Sequence, residues 1–140
     1  MRGLNTKLRN IYLKSFDCDF KILVFTETWL KPQIRDTEIL SDQYQIYRKD
    51  RLNKMGGGVF IAVHNSIASE HIFVTEHPKI EFVCVKLKYL NCNFIITCSY
   101  IPPNSYMDTY LMHSALIKEV SLYHSSNAEM ICLGISICLI

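Results

Sequence analysis

The chemistry a chain can perform is set by a few reactive side chains. Here the first is one carboxylate in an apolar setting, Glu27 in Lys21-Ile22-Leu23-Val24-Phe25-Thr26-Glu27-Thr28-Trp29-Leu30. Lys21 to Thr26 is short, apolar and β-branched enough to form a buried strand. Side chains alternate along a strand, so Leu23, Phe25 and Glu27 would share one face. A carboxylate that continues a core face costs free energy unless it is paired, or sits at the strand's end facing a cleft. Glu27 is therefore the first functional candidate. The plainer alternative is a strand that stops at Thr26, with Glu27 an ordinary loop residue.

Other reactive groups supply less. The six cysteines are Cys18, Cys84, Cys92, Cys98, Cys132 and Cys138, and no two are separated by two residues as in a zinc knuckle. The five histidines lack metal-ligand spacing. Most cysteines sit in apolar, strand-like runs and read as free, reduced core residues of an intracellular protein, nuclear or cytoplasmic. No charged-then-apolar leader opens the chain, so secretion is not expected. The longest apolar run, Met130 to Ile140, falls short of the roughly 18–20 residues that a membrane span needs. No membrane partner and no disulfide-linked partner are expected.

The elements that must position Glu27 follow from periodicity. At 140 residues, with 49% hydrophobic and 20% charged content, the chain is at most one globular domain. A net charge of +2 is too small to argue nucleic-acid binding by itself. Leu4, Leu8, Ile11 and Tyr12 fall at helical spacing and predict a helix over Leu4 to Ser15. Lys31-Pro32 stops regular structure, and Asp36 to Leu40 reads as one helical turn. Tyr44 to Arg48 alternates as an exposed strand. A charged stretch from Arg48 to Lys54 then leads through Gly56, Gly57 and Gly58 into a buried strand, Val59 to Val63.

Further on, Ile72 to Thr75 reads as a short strand. Val83, Val85 and Leu87 mark a half-buried one. Asn91-Cys92-Asn93 is a hairpin-like turn into the strand Phe94 to Tyr100. Pro102 and Pro103 end that strand, because proline cannot donate to a ladder. Met107 to His124 predicts a helix with a core stripe of Met112, Leu116, Ile117, Val120 and Tyr123. Met130 to Leu133 is a last short strand. Many strands, few helices and hairpin-length connections indicate an α+β sandwich with outer helices.

Several motifs occur in a telling order: Arg2-Gly3-Leu4, Glu27-Thr28-Trp29, Tyr47-Arg48-Lys49-Asp50-Arg51, Gly56-Gly57-Gly58-Val59, Ser99-Tyr100-Ile101-Pro102-Pro103 and Ile131-Cys132-Leu133-Gly134. Each is weak alone, but together they cover nearly the whole chain. In this order they resemble the endonuclease/exonuclease/phosphatase superfamily, and within it most the endonuclease domain of non-LTR retrotransposons. The resemblance implies a four-layer α/β-sandwich of mostly antiparallel sheets with outer helices, here incomplete. It implies that Glu27 binds a catalytic Mg²⁺, a hard cation that takes oxygen ligands. It implies that Tyr100 contacts the scissile phosphate; the alternative for Tyr100 is an aromatic core or rim residue. Arg48 and Arg51 fit contacts to the backbone of DNA, the expected partner, or else belong to a solvated charged turn. The glycines allow a tight turn and are not a phosphate-binding loop, since no Lys-Ser/Thr follows.

The departures from that pattern shape the functional expectation. The superfamily places a metal-orienting Asn on a strand before Arg-Gly-Leu, and this sequence starts at Met1. Its last motif continues Gly-Asp-Phe-Asn, where this chain reads Gly134-Ile135-Ser136-Ile137. Its second catalytic Asp and its base His lie further on, and neither His113 nor His124 is in the matching context. The expected function is thus a partial domain over residues 1–140 of a Mg²⁺-dependent DNA-nicking endonuclease, inactive alone. The alternatives are a phosphoester hydrolase of the same superfamily, or a non-catalytic nucleic-acid-binding remnant.

Overall fold

The computed structural model describes residues 8–17, 19–52, 56–123 and 128–133. In chain order these form α1 (Leu8–Phe16), β1 (Ile22–Thr26), α2 (Asp36–Ile39), β2 (Tyr44–Lys49), β3 (Val59–His64), β4 (Ala68–His71), β5 (Glu81–Tyr89), β6 (Cys92–Tyr100), α3 (Met107–Ser121) and β7 (Ala128–Leu133). Two sheets result, one ordered β1-β3-β2 and the other β4-β5-β6-β7. Every strand pair is antiparallel except β6 with β7, which are joined through α3 and run parallel.

The sheets meet face to face, and alternation decides which side chains fill the interface. Val59, Ile61 and Val63 of β3 pack against Val83, Val85 and Leu87 of β5 and Ile96, Cys98 and Tyr100 of β6. Phe60 and Ala62 point the other way. They join Leu30, Ile39, Leu40, Tyr44 and Ile46, with Ile11 of α1 packed alongside. On the far side of the second sheet, Cys84 and Ile95 meet Val120 of α3. The layers are therefore helices, sheet, sheet, helix. β3 carries apolar residues on both faces because it is central, and Val59 to Val63 are all 0% exposed.

Four sequence expectations are corrected. The strand expected over Ile72 to Thr75 lies earlier, at Ala68–His71, as a polar edge strand on β5. Edge strands tolerate charge. Ile72 and Val74 are spent on the core under α3 instead. The hairpin turn is Leu90-Asn91, both left-handed at φ 46 and φ 62, the pattern of a two-residue primed turn. The stripe on α3 is rotated: Met112 and Tyr123 are exposed, while Thr109, His113, Leu116 and Val120 are buried. The rotation gives His113 a partner, with Nε2 2.9 Å from the Ser99 hydroxyl. Among the cysteines, Cys84 and Cys98 are buried, with burial pushing both thiols up to about 12, whereas Cys92 and Cys132 are exposed rather than in the core. The expectations for Arg2 to Lys7, Cys18 and Gly134 to Ile140 fall outside the described residues. No described helix is long and apolar enough to cross a membrane.

Candidate active site

Strand ends converge at one end of the sandwich. β1 ends at Thr26, opposite Val59 at the start of β3. β6 ends at Tyr100, opposite Glu81 at the start of β5. β2 ends at Lys49, two residues before Arg51. The chain thus delivers Glu27, Arg51, Glu81 and Tyr100 to the same rim.

Glu27 lies one residue past its strand, in the left-handed region at φ 55, and Trp29 follows at φ 56. Non-glycine residues avoid this region, so the pair of conformations must be held by their surroundings. What holds them is the glycine run. The Thr28 and Trp29 amides donate to the carbonyls of Gly58 (3.2 Å) and Gly57 (2.9 Å). In return the Gly57 amide donates to Glu27 Oε2 at 3.1 Å. The Trp29 indole Nε1 donates to the same oxygen at 2.7 Å. The turn closes the carboxylate's own cradle.

All three glycines have left-handed φ, from 73 to 86. At two of them the missing side chain also makes room. The Gly57 Cα lies against the Arg51 guanidinium, and a Cβ on Gly58 would stand 2.5 Å from Thr28 Oγ1. This is a stronger requirement than the tight turn expected from sequence.

Arg51 forms a bidentate pair with Glu81, Nε to Oε1 at 2.6 Å and Nη2 to Oε2 at 2.8 Å. Its guanidinium stands 5.3 Å from the centre of the Tyr100 ring. The Tyr100 phenol lies close enough to the Glu27 carboxylate that each shifts the other's ionisation. Glu27, Tyr100, Arg51 and Glu81 therefore make one connected chain of charge and hydrogen bonds.

The electrostatics follow from that chain. Burial pushes the Glu27 carboxyl up, but Tyr100, Trp29, Gly57 and the Arg51 charge together hold it below the ordinary carboxylate range. Burial and the adjacent Glu27 carboxylate push the Tyr100 phenol up to about 12. At neutral pH the site thus presents an ionised carboxylate, a neutral phenol that donates, and a fixed cation.

Arg48, grouped with Arg51 in the sequence, is engaged elsewhere. Its guanidinium donates to the carbonyls of Lys31 (2.9 Å) and Ile34 (2.8 Å) and pairs with Asp36 and Asp50. It ties the segment between β1 and α2 to the end of β2. The sequence reading missed Trp29, Gly57 and Glu81 as parts of the site. The signal for Trp29 was its spacing of two from Glu27. For Glu81 it was a lone acid opening an alternating apolar strand.

Among the described residues no group of three or more His, Cys, Asp or Glu gathers as a metal cage. Glu81 is committed to Arg51. Mg²⁺ needs no full cage, since it keeps several waters and takes one or two carboxylates together with substrate phosphate oxygens. A half-buried, ionised Glu27 fits that minimal mode.

No protein-family model and no curated protein matches the chain. Solved structures do. D. rerio TDP2 in complex with a single-strand DNA product superimposes with a TM-score of 0.62 at 14% identity, over 94% of this chain and 53% of that one. The endonuclease domain of TRAS1, a telomere-specific non-LTR retrotransposon, gives 0.61 at 14% identity, over 91% and 51%. ANGEL2, a 2′,3′-cyclic phosphatase, gives 0.58 at 17% identity, over 93% and 42%. The chain spans about half the length of these proteins. With its helix–sheet–sheet–helix layers and its rim of converging strand ends, the chain has the endonuclease/exonuclease/phosphatase fold.

Proposed function

We propose that the rim of Glu27, Arg51 and Tyr100 is part of a Mg²⁺-dependent phosphodiesterase site that acts on DNA, of the nicking type found in retrotransposon endonucleases. The observation that carries the reading is the treatment of Glu27. A carboxylate at a strand end is kept ionised by donors on its own turn, beside a phenol kept protonated. That is the polarity a phosphodiester needs, with a hard-cation ligand on one side and a hydrogen-bond donor on the other. Bound Mg²⁺ would supply charge neutralisation at the phosphate. The chain's own groups divide the rest. Glu27 would hold the cation, and Trp29 and Gly57 orient Glu27. Tyr100 would turn its hydroxyl to a phosphate oxygen. Arg51, anchored by Glu81, contributes positive potential beneath the Tyr100 ring. The non-LTR pattern in the sequence and the TRAS1 likeness support DNA as the substrate class.

The residues at hand do not complete a hydrolytic site. No described histidine belongs to the rim's hydrogen-bond chain. His113 is bound to Ser99, His64 to Ser66, and His77 receives the Lys79 amide. We therefore read the chain as a partial site that binds metal and phosphate without turnover. The only tryptophan, Trp29, touches Glu27 and makes the test direct. Mg²⁺ titrated into the chain with a short DNA oligonucleotide should change Trp29 emission saturably. Glu27→Gln should abolish that response. Emission that ignores Mg²⁺, or responds equally in both proteins, would overturn the reading.

A further inference from the structure

Beside the rim lies a groove of about 800 Å³, with Arg51 and Glu81 in its wall. Pro102, Pro103 and Tyr106 also line it, and Tyr106 is 78% exposed. The Lys79 ammonium stands 5.9 Å from the centre of the Tyr106 ring. Lys49 completes a set of three cations along the wall.

Each cation has an acidic neighbour: Glu76 for Lys49, Asp108 for Lys79 and Glu81 for Arg51. The pairs are not equivalent. Glu81 is buried, whereas the Glu76 and Asp108 side chains are 82% and 57% exposed. Exposed pairs contribute little, so a phosphate can displace those carboxylates at small cost. With the Lys79 ammonium over one face of the exposed Tyr106 ring, the other face is left for a base, and the ammonium groups along the groove can track a backbone. A duplex shows base faces only at its ends, so such a platform selects single strands. A proline-rich peptide fits less well, because it docks on grooves lined by several large aromatic side chains, and the described lining here holds one, Tyr106.

We propose that the groove binds single-stranded nucleic acid flanking the reactive phosphodiester, with one nucleobase stacked on Tyr106 beside Lys79. The proposal rests on the phosphodiesterase reading of the rim, because Arg51 lies both in the groove wall and at the Tyr100 ring. It adds a subsite and a strandedness that the rim itself does not specify: in a duplex that is nicked, the strand beside the reactive phosphodiester would have to be unpaired to enter the groove.

The test is fluorescence anisotropy of labelled oligo-dT, oligo-rU and a blunt DNA duplex with the whole chain, in EDTA. Without divalent metal the assay is independent of Glu27, so it can fail while the Mg²⁺ response of Trp29 succeeds, and the reverse. Both single strands should bind more tightly than the duplex. Tyr106→Ala should weaken single-strand binding by about five- to a hundredfold, Tyr106→Trp should retain it, and Lys79→Gln should lower the salt slope by about one. Tyr106 is exposed, so these variants should keep the wild-type circular dichroism and melting curve. Unchanged affinity in Tyr106→Ala, equal affinity for the duplex, no wild-type binding, or displacement by a proline-rich peptide would each overturn the proposal.

Discussion

The Gly57 Cα and the Arg51 guanidinium are packed against each other with no space for a methyl group between them. Gly57 also gives its amide to Glu27 and takes the Trp29 amide. One residue without a side chain therefore sets the position of the carboxylate and of the cation. Gly57→Ala should impose two penalties. The left-handed backbone costs an alanine about 1–2 kcal/mol. The methyl group must also push Arg51 off Glu81, leaving a buried carboxylate without its partner. Gly56→Ala meets only the first, since its Cβ would rest 3.5 Å from the Trp29 indole, an ordinary contact. Urea unfolding should show Gly57→Ala destabilised by on the order of 2–4 kcal/mol and clearly more than Gly56→Ala. Equal losses would mean that Arg51 has room to move.

Arg48 should prove structural. Its side chain is 13% exposed and its partners belong to the segment from Lys31 to Asp36 and to Asp50. The Asp50 side chain is 7% exposed, and its Oδ1 has no hydrogen-bond partner among the described residues. Removing the guanidinium would leave that carboxylate buried and uncompensated. Arg48→Ala should cost about 3–5 kcal/mol, with Arg48→Lys intermediate because lysine cannot form the planar fork. DNA affinity measured on the protein that remains folded should be unchanged. A large loss of affinity with normal stability would return Arg48 to the nucleic-acid surface.

How much of this was legible in the sequence varies with the physics behind each feature. β3, β5 and β6 are long, and apolar or alternating, so burial wrote them into the residue types. β4 is a polar edge strand, and what identifies it is pairing with β5, which no local pattern records. Glu27 and Tyr100 could be singled out because each ends an apolar run, where a polar group has either a partner or a task. Arg48 and Arg51 could not be told apart. They stand three residues apart in one charged stretch, and which way each turns depends on carboxylates at positions 36, 50 and 81, remote in sequence or hidden in the same turn. His113 stood outside the core stripe read from the sequence and outside the context of the resemblance's base histidine. Its place in the core depends on meeting Ser99 from another element.

Acid should loosen the α3 layer through His113. Burial lowers its pKa in the folded chain below the ordinary value of 6.5. The neutral form is therefore favoured by folding. That contribution is fully present above about pH 6.5 and is lost as pH falls through this value toward the folded pKa. Stability measured from pH 7.5 to 5 should decline, and His113→Gln should flatten the decline while keeping a polar partner for Ser99. An unaltered pH profile in His113→Gln would assign the acid sensitivity to His71, which burial shifts in the same direction.

Tyr100 should report the charge on Glu27. Its phenol is raised to about 12 by burial and by the adjacent carboxylate. The protonated phenol is favoured by folding, so its contribution is present below about pH 10 and fades as pH climbs toward 12. In a difference titration against Tyr100→Phe, the extra tyrosine should give no phenolate absorbance at pH 10 to 11. Glu27→Gln removes the carboxylate charge and should bring its titration down into that range. A Tyr100 titration left unchanged by Glu27→Gln would show that Tyr100 and Glu27 are not in contact.

The chain should not nick DNA at a measurable rate in Mg²⁺. The expectation comes from counting roles. In-line hydrolysis of a phosphodiester needs a held metal, an activated water and stabilisation of developing charge. On the proposed reading Glu27 would provide one metal ligand, and Tyr100 and Arg51 would provide one donor and one cation at the rim. No described histidine lies in that hydrogen-bond chain to activate water, and the carboxylate of Glu81 is held by Arg51. In the resemblance read from the sequence, Ile135 and Ile137 fall at the positions of an Asp and an Asn. Losing a general base typically costs about 10²–10⁴ in rate, and losing an electrostatic partner costs about 10²–10³ again. Ile135→Asp combined with Ile137→Asn would restore that motif's two polar residues but no base, so it should not rescue cleavage. A supercoiled-plasmid assay with purified chain decides the matter, with Glu27→Ala as the control against contaminating nuclease. Nicking that requires Mg²⁺ and disappears in Glu27→Ala would show that a base operates from outside the rim described here.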